Sequence, residues 1–191
     1  DLERAQQVID NDTPIDEMEV DTEEECLKIL ALHQPVAADL RFIVAALKIN
    51  NDLERVGDIA VNIAERAVFL AEQPEVKVNF DFLLMADKAQ SMLSRSLDAL
   101  VNADAKQARE VCADDDEVDA MNRDMYIQVQ DAIRKYPEDL ESLIHLLSIS
   151  RHLERIGDLA TNIAEEVIYM TKGEIVRHRI EEYRPMLDDN E

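Results

Sequence analysis

Residues 51–66 of this chain recur one hundred positions later. The stretch Asn51-Asp-Leu-Glu-Arg-Val-Gly-Asp-Ile-Ala-Val-Asn-Ile-Ala-Glu-Arg66 matches Arg151-His-Leu-Glu-Arg-Ile-Gly-Asp-Leu-Ala-Thr-Asn-Ile-Ala-Glu-Glu166, with ten of 16 positions identical. The segments upstream also align, at an offset of 103: Asp1 with Asp104, Val8 with Val111, Asp12 with Asp115, Asp16 with Asp119 and Met18 with Met121. A chain that repeats itself over most of its length folds as two copies of one unit. We place the boundary at the Gln73-Pro74 break. Residues 1–75 form the first unit and 76–191 the second.

The unit is helical. Three glycines in 191 residues leave little turn chemistry, and no alternating strand pattern occurs. The spacing predicts helices over about 1–32, 36–72, 80–102, 103–135 and 138–172. Pro14 kinks or breaks the first, and Gly173 caps the last. The charged tail 174–191 forms a short helix at most. Long helices with short connections argue for an all-α fold of antiparallel neighbours. The second unit has three helices. The first begins at the equivalent of residue 104, so the counterpart of helix 80–102 is missing, and an apolar groove should lie open or be filled by another chain.

The composition excludes several classes. A net charge of −23 disfavours a phosphate-backbone partner, so nucleic-acid binding is not expected. With 47% hydrophobic residues in periodic array, disorder is not expected either. No apolar run reaches the ~20 residues of a membrane span. Cys26 and Cys112 form no disulfide framework or zinc-ribbon spacing, and fit core positions in a reducing cytoplasm. The chain starts at Asp1 rather than Met, so the lack of a leader carries little weight.

The acids carry the chemistry. At about 100° per residue, Asp58 falls about 40° and Glu65 about 20° from Glu54, on the stripe of Ile43, Leu47 and Val61. Glu154, Asp158 and Glu165 repeat this with Leu143 and Leu147. Asp39 and Asp139 sit at the stripe's margin. Asp12 and Asp16, and Asp115 and Asp119, are four-residue pairs on the preceding helices. An ionised carboxylate on a buried face needs a base, a proton or a metal. The adjoining helices bring more acids. Oxygen-only ligation suits Mg²⁺, Mn²⁺, Ca²⁺ or Fe³⁺, and so many acids per site suggest more than one ion. Any single acid here could be a solvated surface residue; the repetition favours a ligand set. Gly57 and Gly157, mid-helix within the motif, suit close helix approach or room for a cluster. Asn62 and Asn162 are either donors beside that set or packing residues.

These motifs, Glu54-Arg-Val-Gly-Asp58 and Glu154-Arg-Ile-Gly-Asp158 in the context Gln34-Pro-Val-Ala-Ala-Asp39-Leu-Arg41, resemble the ExxxD motifs of the PhoU family, regulators of bacterial phosphate transport. Gly173-Glu-Ile-Val-Arg-His178 looks like the family's usual end. The resemblance implies two tandem pseudo-symmetric three-helix bundles, here without the first helix. It implies multinuclear metal clusters held by the motif acids and the Asp pairs on the preceding helices, and the stripe extends that ligand set to the twelve inward-facing acids named above, with iron first among the candidates and manganese, magnesium or zinc as alternatives. It also implies a cytoplasmic, non-enzymatic signalling protein that can form a homodimer. Such a protein contacts the phosphate ABC transporter ATPase and a sensor histidine kinase, approaches the membrane only through them, and damps the transcriptional response to phosphate starvation.

Two other readings compete. A ferritin-like di-metal oxidoreductase needs a Glu-x-x-His pair, but Gly57 and Gly157 stand where the histidine would be. A metal-free helical adaptor would bind no stoichiometric ion. His33, His145, His152 and His178 lack ligand spacing, and no glycine-rich phosphate loop is present.

Overall fold

The computed structural model describes residues 1–78 and 80–176. The tail expectation therefore falls largely outside the described residues, as do Arg177 and His178. Six α-helices follow in order: α1 (Leu2–Asp10), α2 (Thr13–His33), α3 (Ala37–Ala71), α4 (Phe82–Asn102), α5 (Ala105–Lys135) and α6 (Leu140–Lys172), with a 3-10 turn at Pro137–Asp139 before α6. No strand occurs among the described residues.

Pro14 divides the first predicted helix. It lies in the first turn of α2, where its missing N–H costs nothing, while its ring excludes the carbonyl that a continuous helix would place four residues earlier. The chain therefore stops at Asp10 and restarts at Thr13. Aspartates begin other helices. The Asp81 carboxylate accepts from the Leu84 N–H, and Asp104 accepts from those of Lys106 and Gln107. Gly173 ends α6 at φ 73°, the left-handed conformation only glycine adopts without steric cost.

The second unit is a closed three-helix bundle of α4, α5 and α6. Met85 and Met92 from α4 meet Val111, Cys112 and Val118 from α5 and Ala160, Ala164 and Val167 from α6. Met85 and Met92 are buried, each contributing roughly 1.5–3 kcal/mol of transfer free energy. A second cluster joins Phe80, Met125, Val129 and Leu143 nearer the end of the bundle.

In the first unit α1 and α2 lie along α3, and Cys26 is the one buried residue on α2. Among the described residues, no helix plays the part that α4 plays in the second unit. Met18, Leu27, Leu32 and Phe42 are exposed as a result, as the sequence led us to expect. The units join through α3 and α6, which run antiparallel. Lys48 Nζ donates to Glu166 Oε1 at 3.0 Å near one end. Phe69 stacks on His145 with centroids 4.0 Å apart near the other. No described helix is long and apolar enough to cross a membrane.

Candidate metal centre

On α5, Asp115 and Asp119 are one turn apart and so share a face. On α6, Glu154 and Asp158 do the same. The two faces meet. Carboxylate oxygens from Asp115, Asp119 and Asp158 all lie within 4.8 Å of one another. This is the one such group of three among the described residues.

Neighbouring acids find bases instead. Asp114 bonds Arg95 and Glu117 bonds Lys88, both on α4. The acidic run 114–117 is thus split: its outer members pair with α4, and Asp115 turns inward. Asp119 has one cationic contact, Arg123 Nη1 at 3.4 Å.

Packing like charges has its electrostatic consequence. Burial pushes the Asp115 carboxyl up to about 6, helped by Asp158 and Asp119, while the Thr161 hydroxyl pulls the other way. Glu154 is raised by burial and then by Asp158 and Asp119. Asp158 is raised by burial and then by Asp119. The native fold thus keeps the acids together at a cost to their ionised forms. The set is all oxygen, which suits a hard cation, and a cation at its centre would offset the repulsion.

The first unit assembles its acids more loosely. Asp12, the residue before α2, is raised by burial and then by Asp16 and Asp58. Glu54 is raised by burial and then by Asp58, Asp16, Glu19 and Asp12. These residues sense one another, but no three of them bring oxygens within 4.8 Å. The restart at Pro14 and the thin cover over α2 account for the difference.

Four other candidates stand apart from these groups. Asp39, exposed in the first turn of α3, is 19 residues before Asp58, about 28 Å along the helix axis. Asp139 caps α6 at the same remove from Asp158, beside Lys77 and Glu138. Glu65 is exposed. Its counterpart Glu165 is buried, beside Cys112 and a cavity of about 130 Å³ shared with Lys48, Glu166 and Tyr169.

Some participants escaped the sequence reading. Glu19 continues the spacing of Asp12 and Asp16 by one more turn, which was a usable signal. Thr161 had none, since its counterpart is Val61. The paired Gly57 and Gly157 were visible, and their role is now geometric. A Cβ on Gly157 would stand 3.5 Å from Asp115 Oδ1, and one on Gly57 would stand 3.7 Å from Asp12 Oδ1.

A cavity of about 250 Å³ opens beside the trio, lined by Arg55, Arg155, Asp115, Asp158, Leu159, Thr161 and Asn162. Two of the trio, Asp115 and Asp158, are therefore accessible to solutes from outside.

Comparison with known proteins agrees with this architecture. The family model described as "PhoU domain" matches residues 1–67 and 82–167. A curated relative from Aquifex aeolicus (strain VF5), a phosphate-specific transport system accessory protein PhoU homolog, is 40% identical over 178 residues, 93% of this chain and 80% of its own. The Pseudomonas aeruginosa homolog is 38% identical over 91% of this chain and 72% of its own. The crystal structure of PhoU from P. aeruginosa superposes with a TM-score of 0.89 at 37% identity, covering 91% of this chain and 84% of that one. PhoU from Streptococcus pneumoniae gives 0.79 at 29% identity, covering 92% and 83%.

Proposed function

The chain belongs to the PhoU family, and from that premise we propose that it is a metal-binding regulator of phosphate uptake. The family is one of regulatory accessory proteins, and a phosphate-regulatory role follows from membership. The finer reading is ours. Two PhoU repeats, 1–75 and 76–191, each present acids to cations: Asp115, Asp119, Asp158 and Glu154 in the second, and Asp12, Asp16, Glu54 and Asp58 in the first. The loaded protein docks on the phosphate transporter ATPase and on a sensor histidine kinase in the cytoplasm and damps starvation signalling.

The convergence of Asp115, Asp119 and Asp158 is the observation that carries the metal part of the reading. Three carboxylates kept together, with Arg123 on Asp119 as their one ion pair, are most simply reconciled by a cation. Iron leads the candidates, followed by manganese, magnesium and zinc. Nothing in the geometry favours the ferritin-like alternative, since Gly157 stands where that chemistry needs a histidine on α6.

Elemental analysis of protein purified without chelator tests the metal. Stoichiometric metal that disappears in an Asp115→Asn, Asp158→Asn variant is the expected result. Metal-free protein would leave the adaptor reading in its place. Co-purification with the transporter ATPase tests the docking part separately, with the same variant expected to lose the partner.

A further inference from the structure

We propose that the cavity beside the acid trio is a phosphate-binding site, in which Arg55 and Arg155 hold the oxyanion over a cation bound by Asp115, Asp119 and Asp158. This deepens the functional reading above and rests on its metal.

The two arginines occupy equivalent places in the repeat, yet both line this one cavity. Arg155 rises from α6 on the same face as Asp158 and Asn162, three and seven residues on. Arg55 arrives from α3, across the junction of the two units. It is held there by Asp52, whose Oδ1 accepts from its Nη1 at 3.3 Å. One such bond leaves a guanidinium with several donors to spare. The repeat differs at the position three residues back. Asp52 anchors Arg55, whereas His152 stands before Arg155, whose charge acts instead on Glu154 and Asp158.

The cavity thus combines two planar cationic forks with the Asn162 amide, over a floor of carboxylates. Forked guanidinium donors match a tetrahedral oxyanion with bidentate geometry. The floor repels that same anion until a cation covers it. The ligand class is therefore an oxyanion that also coordinates a hard cation, and inorganic phosphate satisfies both demands. Phosphate and cation should bind cooperatively, each raising the other's affinity. Because Arg55 and Arg155 belong to different units, occupancy would also tie α3 to α6 at the site.

The test is equilibrium dialysis of radiolabelled inorganic phosphate against the full chain, with and without Mn²⁺. Expected is saturable phosphate binding with Mn²⁺ and at least about tenfold weaker binding without it. Arg155→Gln is expected to lower phosphate affinity about tenfold while leaving Mn²⁺ affinity equal or higher, because it removes a positive charge next to the ligands. Arg55→Gln should lower phosphate affinity similarly. A fall of both affinities together in Arg155→Gln would indicate a merely structural arginine and overturn the proposal. So would phosphate binding equal to wild type in that variant, or equally tight binding of chloride. Mn²⁺ binding without phosphate binding would overturn this inference alone. Failure to bind any cation would overturn it along with the metal reading it rests on.

Discussion

Asp115 Oδ1 lies 3.5 Å from the point where a Cβ on Gly157 would stand. A glycine in the middle of a 33-residue helix gives up about 1 kcal/mol of helix stability relative to alanine. Here the absent methyl leaves the carboxylate room to turn toward Asp158. Gly157→Ala is therefore expected to have opposite effects on stability and binding. A methyl at ordinary contact distance does not block folding, so the metal-free protein should gain up to about 1 kcal/mol. The same methyl restricts Asp115, so cation affinity should fall. Urea denaturation with chelator and a cation titration read the two effects. A variant that is more stable and binds cation as wild type does would show that the glycine serves packing alone.

Helix identity and pairing were legible in the sequence because periodicity and the internal repeat report directly on the backbone. Pro14, Pro137 and Gly173 marked ends that the structure keeps. The site was legible in part. The four-residue spacing of Asp115 with Asp119 fixes a shared face, but not which other acids reach it. Asp39 and Asp139 matched the stripe by angle. Angle carries no information about height, and about 22–28 Å of helix separates them from the motif acids. The inequality of the two units was harder to read. Glu65 and Glu165 have the same register, yet one is exposed and the other buried, because α4 closes the second bundle and, among the described residues, nothing similar covers the first.

The raised carboxyls of Asp115, Asp158 and Glu154 set a pH dependence. Asp115 titrates near 6 in the fold against 3.8 unfolded, and Asp158 and Glu154 shift in the same direction. The native state therefore binds protons more readily than the unfolded chain. Their contribution is fullest below about pH 4 and is lost as pH rises through about 6. After discounting for partial exposure, Asp115 alone accounts for on the order of 1–2 kcal/mol. Denaturation of chelator-treated protein should show stability falling from pH 4 to pH 7, and Asp115→Asn should flatten that fall. A saturating divalent cation should reverse it, because cations compete with protons for the same oxygens. A pH-independent midpoint in chelator would rule out the shift.

Cys112 lies one turn before Asp115 on α5. Burial, then Glu165 and Asp115, push its thiol up to about 12. At pH 8 its thiolate fraction is on the order of a thousandfold below that of an ordinary exposed cysteine. Iodoacetamide should leave Cys112 intact in the native protein, with modification proceeding only through opening of the second bundle. Cys26 is also buried, but it is the one buried residue on α2, so local opening should expose it first. Mass spectrometry after timed labelling gives the order of reaction. Cys112 labelled before Cys26 would contradict the packing difference between the units.

The junction of the repeats depends on a charge pair of unequal burial. Lys48 Nζ lies 3.0 Å from Glu166 Oε1, and also over the Tyr169 ring at 5.6 Å from its centroid. The lysine side chain is 42% exposed and that of Glu166 only 4%. Lys48→Met should destabilise the protein by about 1–3 kcal/mol, chiefly because the buried carboxylate loses a cation. The pair itself is worth less than that, since Lys48 keeps contact with water. Lys48→Met combined with Glu166→Leu should therefore recover most of the loss, as both charges are then replaced by apolar groups. Urea midpoints for the two single variants and the double variant close the cycle. Additive losses in the double variant would mean that Glu166 is held mainly by other groups. A strongly positive coupling would make this pair a principal tie between α3 and α6.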